Sequence, residues 1–509
     1  MRQTADGRRR TAVTRRGRPS AVCGLPSAFC LIGLIAAAAA PGAPLDPTPE
    51  LVLDRAITAM GGTAALEGIK QVRIVWIGTQ DLWAVYQGRY AEVSEPVRRQ
   101  ETLILDVPGR RGALRSEGVQ SDGTPYMWRD TILATGSYTI NLKTQRTIDR
   151  PAEDAAATWE RWRWSIPQLA LGELSRRRAD LRWTGRFDFE GRAADILAVA
   201  LEERGDMNVA FDAETGLLAG YFWEGHYFEG PTKFRYVFKP YRKIPGIALF
   251  PSGFRYSIGD RPFRDLDVYD ARVSSIEGDP WLAPRAKDAE PVLKIVKQQP
   301  IAEKVAPGVF MLRNVGGYNV LVAALGPCYA IVDAPASIPV SPPIPEKQPP
   351  PNLAKDVLTR AAEALPGKRL CWVIPTHHHG DHIGGAAALV RSSPDARLVV
   401  APGTRALGER LVGPGRVEVL RETPLTLGEG DERMEIYSVT GAQHADELLY
   451  VYFPARRISF EGDMSDYVFA AKRLLQVVDE RKFALDRMYA VHTSTSYELR
   501  ELEGDDPSN

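Results

Sequence analysis

Six of the chain's seven histidines lie at or beyond residue 377, and four of them stand in one heptapeptide, Thr376-His377-His378-His379-Gly380-Asp381-His382. Before it, Leu370-Cys371-Trp372-Val373-Ile374-Pro375 is apolar and short, as a buried strand is. After it, Gly384-Gly385 and the apolar residues 386–390 open a helix. The cluster therefore occupies a strand-to-helix loop, and open α/β sheets place ligands at such loops, beyond the carboxyl ends of their strands. Alternate positions of an extended turn point the same way, so His377 and His379 can grip one metal ion while His378 turns aside. Asp381 and His382 then face a second ion.

The heptapeptide reads as H-x-H-x-D-H, and three further elements follow it. His444 stands directly before an apolar stretch at 448–453, Asp463 closes the stretch 457–463, and His492 ends Met488-Tyr489-Ala490-Val491-His492. In this order the residues resemble the metallo-β-lactamase superfamily, over roughly residues 300 to 500. Upstream, Tyr318-Asn319-Val320-Leu321-Val322 and Tyr329-Ala330-Ile331-Val332-Asp333 look like that family's opening hairpin, whose terminal aspartate supports the site from outside. The resemblance implies that His377, His379 and His444 hold one ion, that Asp381, His382 and His492 hold another, and that Asp463 bridges them. It departs from the family at two points. Thr493 follows the last histidine where glycine is usual, and the interval from Asp463 to His492 is short, so substrate recognition is expected elsewhere.

An all-nitrogen-and-oxygen ligand set without thiolate suits zinc, with iron or manganese as alternatives. The resemblance implies hydrolysis by a metal-bound hydroxide, with Asp381 also holding the attacking water and shuttling its proton. Fold does not choose among an ester, thioester, lactone or lactam bond, nor against phosphate or sulfate esters. Oxygen-reducing di-iron members carry glutamate where His379 stands, so histidine there favours hydrolysis. Mononuclear iron dioxygenases of the same fold share the histidine and are the alternative.

The 509 residues predict two to four domains. Their formal charge of zero hides an asymmetry, because Arg2, Arg8, Arg9, Arg10, Arg15, Arg16 and Arg18 are opposed by Asp6 alone in the first 43 residues. The remainder carries 57 basic and 63 acidic groups, which gives no electrostatic case for nucleic-acid binding. This arginine-rich start, an apolar run from Leu25 to Ala40 and the small residues Pro41-Gly42-Ala43 read as a signal peptide over 1–43. The run is shorter than the roughly 20 residues that span a bilayer. An exported, periplasmic protein with no stable membrane span is expected. Cys328 and Cys371 then remain, and are read as two buried thiols in preference to a disulfide.

Residues 45–290 change character. Gly61-Gly62 ends a short helix, and alternating strands follow at 71–77, 101–106, 181–189, 194–202, 207–212, 217–223, 233–238 and 248–257. The stretch 211–254, with its Asp-Ala-x-Thr-Gly-Leu-Leu turn, resembles the half-open antiparallel barrel of periplasmic lipoprotein carriers. That resemblance implies an acyl or lipid ligand as candidate partner, with Trp159, Trp162, Trp164, Trp223 and Phe228 as lining; the plainer reading of these aromatics is core. His226 stands alone and is read as structural or surface. Residues 291–303 are expected to link the halves. Eight prolines between 335 and 351 exclude regular structure there and make an extended loop, a candidate wall of the metal cleft. Asn352 then caps a helix over 353–365.

The expectation is an α+β chain: a mainly antiparallel β half-barrel domain at 45–290, then an αββα metallo-β-lactamase-fold sandwich at 300–503 acting on a small-molecule substrate. The competing reading is a lipid carrier whose metal domain is structural.

Overall fold

The computed structural model of the chain describes residues 46–81, 96–119, 125–143, 145, 147–228, 230–273, 275–283, 293–294, 299–336, 343–345, 351–421, 424–442, 444–464 and 468–492. The expected signal segment, 1–43, lies outside the described residues. In the first strand, Gln71–Gln80, Val72, Ile74 and Trp76 are buried while Gln71, Arg73 and Val75 between them are half-buried. This is the period-two alternation of a strand with one face on a core.

From this strand the chain walks outward through Val97–Asp106, Arg111–Val119, Pro125–Leu133, Gly136–Asn141 and Thr147–Arg150, each antiparallel to the last. Two helices, Ala152–Trp164 and Pro167–Arg176, follow. The chain then re-enters the sheet at its opposite edge with Arg182–Phe189. It returns inward through Arg192–Ala200, Asp206–Asp212, Leu218–Tyr227, Gly230–Phe238 and Gly253–Ile258. Arg261–Val273 closes the walk by pairing with both Gly253–Ile258 and Gln71–Gln80. Among the described residues this makes a fourteen-stranded sheet, antiparallel throughout except where Leu293–Lys294 adds to Thr147–Arg150.

The helix Ala152–Trp164 covers part of one face. Trp159, Trp162 and Trp164 are buried with Trp223 and Phe228 in one apolar core, and the Tyr221 hydroxyl donates to the Trp164 carbonyl at 3.1 Å. These aromatics thus belong to the core, Trp162 and Trp164 also bordering cavities, and His226 is exposed. The stretch expected to be a linker instead supplies edge strands. Leu293–Lys294 borders the large sheet, and Ile301–Ala306 borders the next one.

That next sheet has seven strands in the order Ile301–Ala306, Val309–Val315, Tyr318–Leu325, Cys328–Val332, Arg369–Ile374, Arg397–Val400 and Val417–Val419. A five-stranded sheet follows: Leu425–Leu427, Met434–Thr440, Glu447–Phe453, Ile458–Glu461 and Arg487–Ala490. Apolar residues of both sheets meet in a shared core that includes Leu321, Ile374, Val451 and Phe460. On the outer side of the seven-stranded sheet lie Leu353–Ala364, Ala386–Arg391 and Arg405–Val412, and a separate cluster joins Val468–Arg481 to the five-stranded sheet through Leu474, Val477 and Val478. The result is the expected αββα layering. Asn352 caps its helix as expected, its side chain accepting from the Lys355 amide at 3.1 Å.

One expectation is overturned. Cys328 and Cys371 are not free thiols but a disulfide, with Cα atoms 5.6 Å apart. Their strands run parallel as neighbours, and the register shift between Tyr329 and Ala330 leaves Cys371 as the extra residue of its strand, between the partners of Tyr329 and Ala330. Pairing in space decided the matter, and neither cysteine's local sequence reports it.

The described part of the proline-rich loop, Pro343–Pro345, is buried and has no helix or strand. It reaches the N-terminal region, where Arg204 donates to the Pro345 carbonyl at 3.2 Å.

Candidate metal centre

Each proposed ligand sits at or just beyond a strand end. His377, His379, Asp381 and His382 follow Arg369–Ile374, and His444 precedes Glu447–Phe453. Asp463 and His492 each fall two residues past a strand, Ile458–Glu461 and Arg487–Ala490. The two sheets are stitched at this end, the Leu449 amide donating to the Thr376 carbonyl at 2.6 Å and the Asn319 amide to the Val491 carbonyl at 2.8 Å.

The side chains converge on two groups, His377, His379, His444 and Asp463 in one, and Asp381, His382 and His492 in the other. In the first, His444 Nε2 lies 3.2 Å from His377 Nε2 and 3.1 Å from His379 Nδ1. Two nitrogens bound about 2.05 Å from one tetrahedral ion stand about 3.3 Å apart, so this spacing fits a shared cation. Asp463 divides its oxygens: Oδ2 lies 3.0 Å from His444 Nε2, while Oδ1 lies 3.1 Å from both His382 Nε2 and His492 Nε2. Asp381 Oδ2 completes the second group, 3.7 Å from His382 Nε2 and 3.9 Å from His492 Nε2. His378 belongs to neither group.

The electrostatics fit a metal as well. Burial, reinforced by neighbouring imidazoles, holds His377 and His379 well below the ordinary histidine range, which keeps them in the neutral, ligating form. Burial also brings His378 down to about 4. At Asp463 burial opposes ionisation, but His382 and His444 outweigh it and hold the carboxyl well below its usual range. At His382 burial opposes the charge, but Asp463, Asp381 and Asp333 outweigh it and raise the imidazole's pKa. Asp381 Oδ1 is buried with no hydrogen-bond partner among the described residues, an orphan that a cation or a water would engage.

Supporting groups hold this arrangement. Asp333, at φ 69°, accepts from the Thr376 amide at 2.7 Å and lies 3.3 Å from His382 Nδ1, orienting that ring. The hairpin reading of the sequence anticipates Asp333 but not Thr376, whose hydroxyl lies 3.2 Å from both His377 Nδ1 and His382 Nδ1. His492, the least typical ligand, has 30% of its side chain exposed and packs edge-on to Tyr318 at 5.3 Å. Two glycines are required by close approach. A Cβ on Gly462 would meet Thr376 Oγ1 at 2.6 Å, and one on Gly380 would meet the Phe228 ring at 2.4 Å. Phe228, from the N-terminal region, thus presses directly on the histidine loop, a contact with no signal in the sequence beyond the glycine itself.

Residues 339–507 match the family model of the metallo-beta-lactamase superfamily, and this part of the chain is a domain of that fold, the scaffold of metal-dependent hydrolases. No curated protein matches the chain. Among solved structures, the chain is similar to the stereoselective inverting sec-alkylsulfatase Pisa1 from Pseudomonas sp., at 12% identity over 40% of each chain with a TM-score of 0.31. The match thus spans two fifths of the sulfatase's own length. It is also similar to a metallo beta lactamase from Hirschia baltica, at 19% identity over 40% of this chain and 95% of that one, TM-score 0.31. A third similarity is to a putative outer membrane lipoprotein-sorting protein domain from Vibrio parahaemolyticus, at 12% identity over 44% and 92%, TM-score 0.28.

Proposed function

We propose that the chain is a binuclear metal-dependent hydrolase, zinc-loaded and exported, that cleaves an ester, thioester, lactone or lactam bond of a small molecule. The observation that carries this reading is the division of Asp463, whose two oxygens face imidazoles of different ligand groups. A carboxylate so placed suits a pair of cations better than one. The donors are imidazole and carboxylate only, which favours zinc over softer-ligand metals. When bound, such ions polarise the scissile bond's oxygen and bring the pKa of water down to about 7.

The chain's own residues have distinct tasks. Asp333 and Thr376 fix the His377 and His382 rings, so the ligands keep one orientation. Asp381 offers its unengaged Oδ1 to the attacking water and can take its proton. Buried walls around His377, His379 and His382 keep bulk solvent from competing at the rings. The Cys328–Cys371 disulfide supports export, because such bonds persist in oxidising compartments, and among the described residues no helix is long and apolar enough to cross a membrane.

Elemental analysis of the purified protein, combined with a panel of carboxylic esters, thioesters, lactones, lactams, phosphoesters and sulfate esters, tests the reading. About two zinc ions per chain and turnover of one bond class are expected. A single iron with oxygen consumption on a persulfide would replace the proposal with a dioxygenase, and folded metal-free protein that retains lipid would replace it with a carrier.

A further inference from the structure

The hairpin formed by Leu218–Tyr227 and Gly230–Phe238 closes where Tyr227 pairs with Gly230, and Phe228 stands in its turn. A turn residue ordinarily faces water, as His226, two residues earlier, does. Phe228 is only 9% exposed. Its ring lies 4.6 Å from that of Tyr227, and it shares one apolar core with Ala334, Ile383 and Ala386 from around the histidine loop. Part of what covers it is the single helical turn Gly380–Ile383. A Cβ on Gly384 would come within 2.8 Å of the Phe228 Cβ, and one on Gly380 within 2.8 Å of Phe228 Cε1 and 3.0 Å of its Cγ.

That turn carries two ligands, Asp381 and His382. Each residue advances about 100° around a helix, so Gly380 and Gly384 share the face toward Phe228, while Asp381 stands about 100° round from Gly380 and His382 about 200°. The ring therefore bears on the side nearly opposite His382. The turn is also tied to the segment after Asp333: the Ala334 amide donates to the His382 carbonyl and the Gly385 amide to the Ala334 carbonyl, both at 2.8 Å, and a Cβ on Gly384 would stand 2.6 Å from the Ala336 Cβ. With glycine at both contact positions, the turn has no side chain of its own on this face, and its seat is set by the ring and by residues 334–336. Metal–ligand distances tolerate a displacement of only about 0.2 Å. The first ligand group depends less on this turn, because His444 comes from the other sheet and the His377 ring lies against the Thr376 hydroxyl.

We propose that Phe228 is a positioning residue of the metal centre, a ring supplied by the N-terminal sheet that seats the turn bearing Asp381 and His382 and so sets how tightly the second cation is held. This deepens the binuclear reading and rests on it. The N-terminal half is then part of the centre's framework, and removing one apolar ring changes cation affinity with no ligand altered.

Competition for zinc between the loaded full-length protein and a chromophoric chelator tests this, with denaturant melts of the same samples. Wild type should hold about two ions per chain. Phe228→Ala should weaken the second by about tenfold to a hundredfold and leave the first within about twofold, and Phe228→Leu, which keeps apolar bulk, should recover most of the loss. Gly380→Ala should weaken the second ion as well, because its Cβ falls where the ring stands. Phe228→Ala vacates that space, so the double variant should hold the second ion better than Gly380→Ala alone. If Phe228→Ala does not fold, Gly380→Ala carries the test and must weaken the second ion selectively. A merely structural role for the ring would lower the denaturation midpoint and leave the two affinities in proportion. Unchanged second-ion affinity in Phe228→Ala or Gly380→Ala, equal weakening of both ions, or a double variant no better than Gly380→Ala would each overturn the proposal while the binuclear reading stood. Fewer than two ions in wild type would overturn that reading and this proposal with it.

Discussion

At the metal centre Asp333, Asp381 and Asp463 are buried among imidazoles whose nitrogens face one another, whereas in the N-terminal sheet a buried Arg99 and a half-buried Arg264, 17% of its side chain exposed, stand around the carboxylate of Glu101. Both clusters forgo water, and each keeps an imbalance that water would have relieved. The signs are opposite. Lone pairs and carboxylates in excess call for cations; guanidinium groups in excess call for an anion.

The largest effect tests the cationic side of this comparison. Asp463 is the one carboxylate within 3.1 Å of imidazoles from both ligand groups. Asp463→Asn keeps its size and removes its charge, so metal content should fall toward zero and hydrolysis by roughly a thousandfold or more. His444→Ala strips only the first group and should lose metal there while part of the second ion remains. Elemental analysis of the two variants side by side checks the difference. Full metal content in Asp463→Asn would mean the two groups are independent sites.

The two clusters differed as much in legibility as in sign. His377 to His382 could be read because four ligand positions fall within one turn after an apolar strand, and His444, Asp463 and His492 because each borders a recognisable strand. Arg99, Glu101, Tyr236 and Arg264 carry no such signature. They come from three strands far apart in the chain, made neighbours by a walk that returns to pair Arg261–Val273 with the first strand. Arg99-x-Glu101 tells only that two side chains share a face. The strands at 111–150 and the helix Ala152–Trp164 were missed for a related reason, since a helix rich in tryptophan and arginine has little of the apolar periodicity that marks one. The disulfide was missed because it depends on which strands adjoin.

That disulfide gives the second effect. It fastens the strand leading to Asp333 to the strand leading to His377, while the strands carrying Arg99 and Arg264 are held by ladder hydrogen bonds and side-chain pairs such as Arg264–Glu101, with no covalent link among the described residues. For a sequence separation of 43, loop-closure entropy predicts a loss of about 4 kcal/mol when both cysteines become serine. Denaturant melts measure it. Activity per folded molecule should persist, because neither sulfur belongs to the ligand groups; a loss of metal alongside stability would make the bond part of the centre.

In the arginine cluster, Glu101→Gln should cost about 3 kcal/mol, since it leaves the buried Arg99 and the half-buried Arg264 with no carboxylate between them. An unchanged melting curve in Glu101→Gln would show that charge imbalance in this cluster is cheap, and the parallel between the two clusters would fail.

The smallest effect comes from a second cluster of arginines around one glutamate, this one in contact with water. Glu173 pairs with Arg163 at 3.0 Å, Arg176 at 2.5 Å and Arg177 at 2.8 Å, so three guanidinium groups surround one carboxylate. Burial opposes its ionisation, but the bonds from Arg177, Arg176 and Arg163 outweigh it and bring its pKa from 4.5 to about 2. Taken whole, that shift would exceed 3 kcal/mol, roughly. Arg176 has 61% of its side chain exposed and Arg177 27%, so solvent screening reduces the expected contribution to about 1 kcal/mol. A depressed carboxyl stabilises the fold fully above its unfolded value and loses that contribution as pH falls from about 4.5 toward 2. Glu173→Gln should therefore cost about 1 kcal/mol at pH 7 and flatten the acid limb of the stability curve over that window. If the loss at Glu173 equalled that at Glu101, burial would not be what makes a charge imbalance costly.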